Sequence, residues 1–234
     1  MEKNNRTLAA LLIALGLACL GWFIYTGINN LAYRDRQVTV RGLAEKEVMA
    51  NKVTWPLVVT TLGNNLPELY NRINANNDIV LKFLKDNGIS EAEISVNEPQ
   101  VFDKDAQTYS SGNLPFRYRV TEVITVTSDQ VEKVNALMKR QAELLKQGVA
   151  LANDYQYQTL YEYTGLNDIK PEMIAQATAA AREAAKKFAD DSGSDLGKIK
   201  TASQGQFSIE DRDSYTPYIK NVRVVTSITY YLED

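Results

Sequence analysis

The chain has 234 residues, of which 44% are apolar and 24% are charged, and it contains one Cys and no His. The absence of His excludes Ser-His and Cys-His nucleophile pairs and His metal ligands, and with them most familiar hydrolases. A formal net charge of −3 gives no basic footprint, so we expect no nucleic-acid partner.

Residues 8–28 form an uncharged apolar run that follows a short basic segment, 1–7, with Lys3 and Arg6. A helix of this length rises about 30 Å, enough to cross a bilayer core. A cleaved signal peptide is the alternative, but its apolar region is shorter and ends at small residues. The sequence therefore predicts an uncleaved transmembrane signal anchor over 8–28, with a linker over 29–36.

Ala10, Ala14 and Ala18 recur at every fourth position of this run. Such spacing of small residues allows a second transmembrane helix to approach closely, although alanine is also common in any apolar segment. Basic residues flank the run on both sides, so charge alone does not fix its orientation. We expect the N-terminus inside and the large domain exported.

The region after residue 36 changes to short strands and amphipathic helices without a long linker, which predicts one domain over 37–234. Strands are expected over 37–43 and 53–62, paired as a hairpin, with Pro56 marking an edge or a bulge. A helix is expected over 66–86, ended by Gly88.

A weak strand is expected over 94–102 and a clear one over 116–127, where apolar and polar residues alternate. Glu122 is the exception on the apolar face of the second strand. The polar segment 103–115 between them predicts a loop that could contact a partner. Asp129 and Glu132 resemble a capping box at the start of a helix that runs through Leu145 to Gly148.

Four tyrosines, Tyr155, Tyr157, Tyr161 and Tyr163, alternate along the next segment. If this segment is a strand, the four rings share one face, which is either a protein-contact surface or a half-buried sheet face. An alanine-rich helix is expected over 171–191, followed by strands over 199–209 and 219–232.

Carboxylates are the remaining candidates for catalytic groups. They occur as Asp103 with Asp105, Asp190 with Asp191, and Glu210 with Asp211 and Asp213. Their spacing matches no calcium loop, and surface solvation is the favoured interpretation. The sequence predicts no catalytic residue, no metal site and no cofactor.

Several segments together resemble one family. They are VTVRGLAEKEVMANKVTWPLVV at 38–59, Gly88-Ile89, residues 116–127, Gly148, AAAREAAKKFADDSG at 179–193, and Leu196-Gly197. This order is similar to that of the SIMPL domain (DUF541) family of bacterial periplasmic and cell-envelope proteins, and the resemblance spans about residues 37–232. The matching positions are structural rather than catalytic.

The resemblance implies an α+β domain with helices packed on mixed β-sheets. It also implies a place in the bacterial cell envelope. Together with the predicted anchor, we expect a single pass through the inner membrane and a large domain in the periplasm or outside the cytoplasm. Some members form ring-like oligomers, and some are linked to oxidative-stress defence.

We therefore expect a non-enzymatic, self-assembling or scaffolding domain that forms a homo-oligomer and binds an unidentified envelope protein. A small-ligand binder or enzyme with a carboxylate-lined pocket is one alternative, and a component of a ring or channel-like assembly is another.

Overall fold

The computed structural model of the protein describes residues 2–33, 36–106 and 115–233, and it describes the side chains of these residues except 2–11 and 29–33. Residues 107–114 of the expected contact loop therefore lie outside the described residues.

The described chain is a mixture of helices and strands, which confirms the α+β class. The helices are α1 (Glu2–Tyr33), α2 (Leu66–Asp86), α3 (Val131–Met138), α4 (Ala142–Lys146) and α5 (Leu166–Ser192). The strands are β1 (Gln37–Met49), β2 (Lys52–Gly63), β3 (Ile94–Val96), β4 (Gln100–Asp103), β5 (Tyr118–Ser128), β6 (Leu160–Glu162), β7 (Asp195–Gln204), β8 (Ser208–Asp211) and β9 (Ile219–Glu233).

The strands form two sheets. One has the order β1-β9-β7 with β8 also on β9, and the other has the order β3-β5-β2-β6 with β4 also on β5. The contacts divide the chain into two compact units. Unit 1 comprises residues 1–46, 167–208 and 222–234, and unit 2 comprises residues 47–166 and 209–221.

Unit 2 has its core between the β2–β5 pair and the helices α2, α3 and α4. β2 and β5 are antiparallel in continuous register from Val53 opposite Ser128 to Gly63 opposite Tyr118. Alternate β2 residues, including Trp55 and Leu57, are buried against α2 residues such as Ile73. The predicted helix 66–86 is confirmed, because an apolar stripe at helical spacing has a sheet to cover it.

Unit 1 is built on small side chains. α5 buries Met173, Ala177, Ala181, Ala185 and Ala189, a stripe at every fourth residue. Ala181 and Ala185 lie in one cluster with residues of β1 and β9, including Val38, Ile228 and Tyr230. A Cβ atom added to Gly42 of β1 would lie 1.9 Å from the backbone oxygen of Ala177 and 2.4 Å from the backbone nitrogen of Ala181. The alanine stripe and Gly42 thus allow the backbones of helix and strand to approach each other closely.

The prediction of a single-pass inner-membrane anchor is wrong. Among the described residues, no helix combines the length and apolar character needed to cross a membrane. The described apolar side chains of α1 extend over 12–28.

The expected hairpin of the first two strands is also wrong, because β1 pairs with β9 while β2 pairs with β5 and β6. The residues between β1 and β2 are tied elsewhere in unit 2. The backbone N–H of Ala50 donates to the carbonyl of Tyr218, and the Asn51 side chain bonds Thr164. These bonds replace the ones that a hairpin turn would make.

The expected capping box is not formed, since α3 begins after Gln130 without a side-chain cap. The expected single helix is divided into α3 and α4 at residues 139–141. Its predicted end at Gly148 is confirmed by a φ of +86°, a conformation that favours glycine.

Replacement of Gly42 by alanine tests the close approach of α5 to β1. The added methyl group would collide with backbone atoms, which cannot rotate away as a side chain can. We expect Gly42→Ala to lower the free energy of unfolding by about 3 kcal/mol, measured by urea denaturation followed by far-UV circular dichroism. The control is Gly21→Ala, where no atom lies within 4 Å, and an equal loss in both variants would contradict this packing.

Candidate functional site

The carboxylates that sequence analysis considered do not converge on one site. Asp103 and Asp105 both pair with Arg117, at 2.9 and 3.2 Å. On other elements, Asp191 pairs with Lys187 and Asp211 pairs with Lys220. The described residues contain no group of three or more acidic or Cys side chains positioned to hold a metal ion. Asp103, Asp105, Asp191 and Asp211 are thus partners of nearby cations.

Asp213 organises the loop between β8 and β9. Its carboxylate accepts the backbone N–H groups of Tyr215 and Thr216, both at 2.8 Å, and Nε of Arg212 at 3.0 Å. It also accepts the hydroxyl of Thr216. The Thr216 hydroxyl, the Arg212 guanidinium and the backbone donors hold the pKa of Asp213 well below its usual range. An ionised, saturated carboxylate of this kind stabilises a loop rather than accepting a proton.

Arg117 clamps the β4–β5 hairpin. Its Nε and Nη2 donate to the two oxygens of Asp103 at 3.0 and 2.9 Å. The pKa of Asp103 is lowered mainly by this bidentate bond, and the pKa of Arg117 is raised for the same reason. The pair is therefore charged over the whole neutral range.

The four tyrosines are not arranged along one strand, because β6 extends only from Leu160 to Glu162. Tyr155 lies in a turn and is 94% exposed. The ring of Tyr161 packs against the core of unit 2, where its hydroxyl donates to Oδ1 of Asn135 at 2.5 Å and its ring meets Tyr218 edge to face. The hydroxyl of Tyr163 donates to the carbonyl of Gly165. Only Tyr155 is thus presented freely to a partner, while Tyr157 borders a groove.

Helix α1 carries an apolar surface that the described chain does not cover. Ten large side chains between residues 12 and 28 are each more than half exposed: Leu12, Ile13, Leu15, Leu17, Leu20, Trp22, Phe23, Ile24, Tyr25 and Ile28. Ala14 and Ala18 are exposed among them, whereas the side chain of Ala10 lies outside the described residues. This set is called the α1 surface below.

The sequence matches the family described as "SIMPL: Protein of unknown function (DUF541)" over residues 38–226. The chain belongs to the SIMPL family. The resemblance seen in the sequence is thereby confirmed, and the matched range lies entirely beyond α1. A comparison with curated proteins finds no match.

The SIMPL domain buries three polar side chains of unit 2 that each have an oxygen without a hydrogen-bond partner among the residues that the structure describes. They are Thr61 on β2, Asn77 on α2 and Glu122 on β5. Glu122 is only 6% exposed and is opposite Val59, on the same face of β5 as Val120 and Ile124. Sequence analysis identified Glu122 as the exception on this face, but it gave no signal for Thr61 or Asn77. An unpartnered polar group in an apolar core lowers the stability of the SIMPL domain.

Replacement of Glu122 by leucine tests how much the buried carboxyl group lowers the stability of the domain. Because Oε2 of Glu122 is buried without a hydrogen-bond partner among the described residues, we expect Glu122→Leu to raise the free energy of unfolding by about 1–3 kcal/mol, measured in urea. The comparison is Glu122→Gln, which keeps the shape and removes the charge. Destabilisation by both variants would indicate that the carboxyl group has a partner that the structure does not contain.

The pH dependence of stability tests the role of Asp213. A carboxyl group whose pKa is lower in the folded than in the unfolded chain stabilises the fold above its ordinary pKa of 3.8, and this contribution is lost as the pH falls through the folded-state value. We therefore expect Asp213→Asn to lower the urea midpoint at pH 7. The difference from the unmodified protein should shrink below about pH 4. A constant difference from pH 7 to pH 2 would contradict the argument.

Proposed function

We propose that this SIMPL protein is a non-catalytic domain that self-associates and scaffolds partners, and that the α1 surface is where its copies meet. The single observation that carries the proposal is the exposure of ten large apolar side chains on one helix. A monomer in water rarely leaves so continuous an apolar surface uncovered.

A second copy of the chain is the simplest cover, because it supplies an identical apolar helix and a symmetric contact. Ala14 and Ala18 lie one turn apart and form a shallow strip between larger side chains. Two helices that meet along such a strip bring their backbones together and gain dispersion contacts from the flanking leucines. We place the centre of the contact on this strip.

The non-catalytic part of the proposal is supported by the carboxylates. Asp103, Asp105, Asp211 and Asp213 are engaged by cations and backbone donors, so none of them is poised to exchange a proton with a substrate. The link to oxidative-stress defence, the unidentified partner protein and the ring or channel-like assembly stay predictions.

Light scattering coupled to size exclusion tests self-association of the full chain in a mild detergent, with the mass of bound detergent subtracted. We expect a defined multiple of the 26.2 kDa chain mass. The double variant Ala14→Leu and Ala18→Leu should shift the population toward the single-chain mass, because bulk on the strip separates the two backbones.

The control variant is Gly16→Leu, which places one leucine near the opposite side of α1, where no atom lies within 4 Å of an added Cβ. This variant should keep the mass of the unmodified protein. A single-chain mass for the unmodified protein at all concentrations would contradict self-association. An unchanged multiple in the double variant would move the contact away from Ala14 and Ala18.

A further inference from the structure

Two adjoining cavities open on unit 2, with volumes of about 440 and 390 Å³. They share Ala152, Asn153 and Tyr157 as lining residues. β2 contributes Trp55, Pro56 and Val58 to the first cavity and Thr60 to the second. Both volumes are in the range of small-molecule sites. We call the pair the amide groove.

The amide groove exists because the neighbouring segment leaves the edge of β2. Thr54 pairs with Leu160, and Val59 forms a bridge with Leu151. Four β2 residues, 55–58, therefore face eight residues, 152–159, which cannot remain in register and bulge outward. The Val58 carbonyl accepts from Ala152 at 2.8 Å, so the backbone of Pro56, two residues away, faces the same side. Proline has no N–H to donate there, which explains why the ladder opens at this point.

Carboxamides dominate the polar lining. They belong to Gln100, Gln141, Asn153, Gln156 and Gln158. Within the described part of the chain, none of these five side-chain amides forms a hydrogen bond with the protein. Each amide keeps an acceptor oxygen and two N–H donors available to a ligand. This concentration of unused amides on one groove contrasts with Asp103, Asp105, Asp191 and Asp211, whose carboxylates are paired with cations.

Arg119 provides the positive charge of the groove. Its guanidinium lies 5.0 Å above the ring of Phe102, and it forms no ion pair with a described carboxylate. Asp154 also lines the groove, but its Oδ1 accepts the backbone N–H of Gln156 at 3.0 Å. A guanidinium stacked on an aromatic ring keeps its edge free to bind a carboxylate with two parallel hydrogen bonds.

We propose that the amide groove binds a carboxylate-bearing oligosaccharide, with the sugar hydroxyls on the amides and the carboxylate on Arg119. A sugar hydroxyl both donates and accepts, as the amides do, and the ring of Tyr157 with the half-exposed Val101 offers surface for the C–H faces of a sugar. An extended peptide fits less well. A strand added at the open edge of β2 would need a backbone N–H donor at position 56, and Pro56 has none.

Isothermal titration calorimetry of the full chain with trigalacturonic acid tests the proposal. We expect saturable binding at one site, and at least tenfold weaker binding of the neutral trisaccharide maltotriose. Arg119→Gln should lower the affinity for trigalacturonic acid about tenfold and leave that for maltotriose unchanged. The double variant Asn153→Ala and Gln156→Ala should weaken the binding of both sugars.

The matched controls are Arg182→Gln on α5 and Gln206→Ala after β7, both exposed and outside the groove, and they should bind like the unmodified protein. Far-UV circular dichroism verifies that each variant is folded. Absence of binding by trigalacturonic acid would overturn the proposal. Equal affinity for triglutamate would show that charge alone is recognised and would overturn the sugar assignment. Equal affinity for both sugars would overturn the role of Arg119.

Discussion

Unit 1 depends on the contact between Gly42 of β1 and the backbone of α5 at Ala177 and Ala181. Side chains on both surfaces usually keep the backbones of a packed helix and strand apart, but here glycine faces alanine. The resulting layer buries small groups, so it gains less hydrophobic free energy per residue than a layer of leucines. It gains close dispersion contact instead, and that contact is sensitive to a single added methyl group.

Unit 2 is packed differently, because large apolar residues fill the space between its helices and its sheet. β2 is its central strand, paired with β5 on one edge along its whole length and with β6 only at one end. Pro56 is tolerated because its missing N–H falls on the incompletely paired edge. The same residue that is harmless to the β2–β5 ladder thus opens the groove on the other side.

Two groups of polar side chains in the SIMPL domain have different physical consequences. Charged carboxylates such as Asp103 and Asp213 are satisfied locally, so they contribute to loop and hairpin structure. The amides of the groove and the Arg119 guanidinium are not satisfied by the described chain and keep their capacity to bond a ligand. This division favours recognition over acid–base chemistry, since a carboxamide does not ionise at ordinary pH and is not a general acid or base.

The sequence by itself determined the features that depend on neighbours within a few residues. The bounds of α2 agree with its apolar spacing, and Gly88, Gly148 and Gly193 all have positive φ where helices end. The family could also be recognised, because its matching positions are such local structural landmarks. Only the tertiary structure decided which strands pair. β1 pairs with β9 although most of the chain lies between them, and of the four alternating tyrosines only Tyr161 lies in a strand. The tertiary structure also decided that amides from distant segments share one groove. Contacts between residues far apart in the chain stabilise that arrangement, and a local sequence pattern does not show which distant residues will meet.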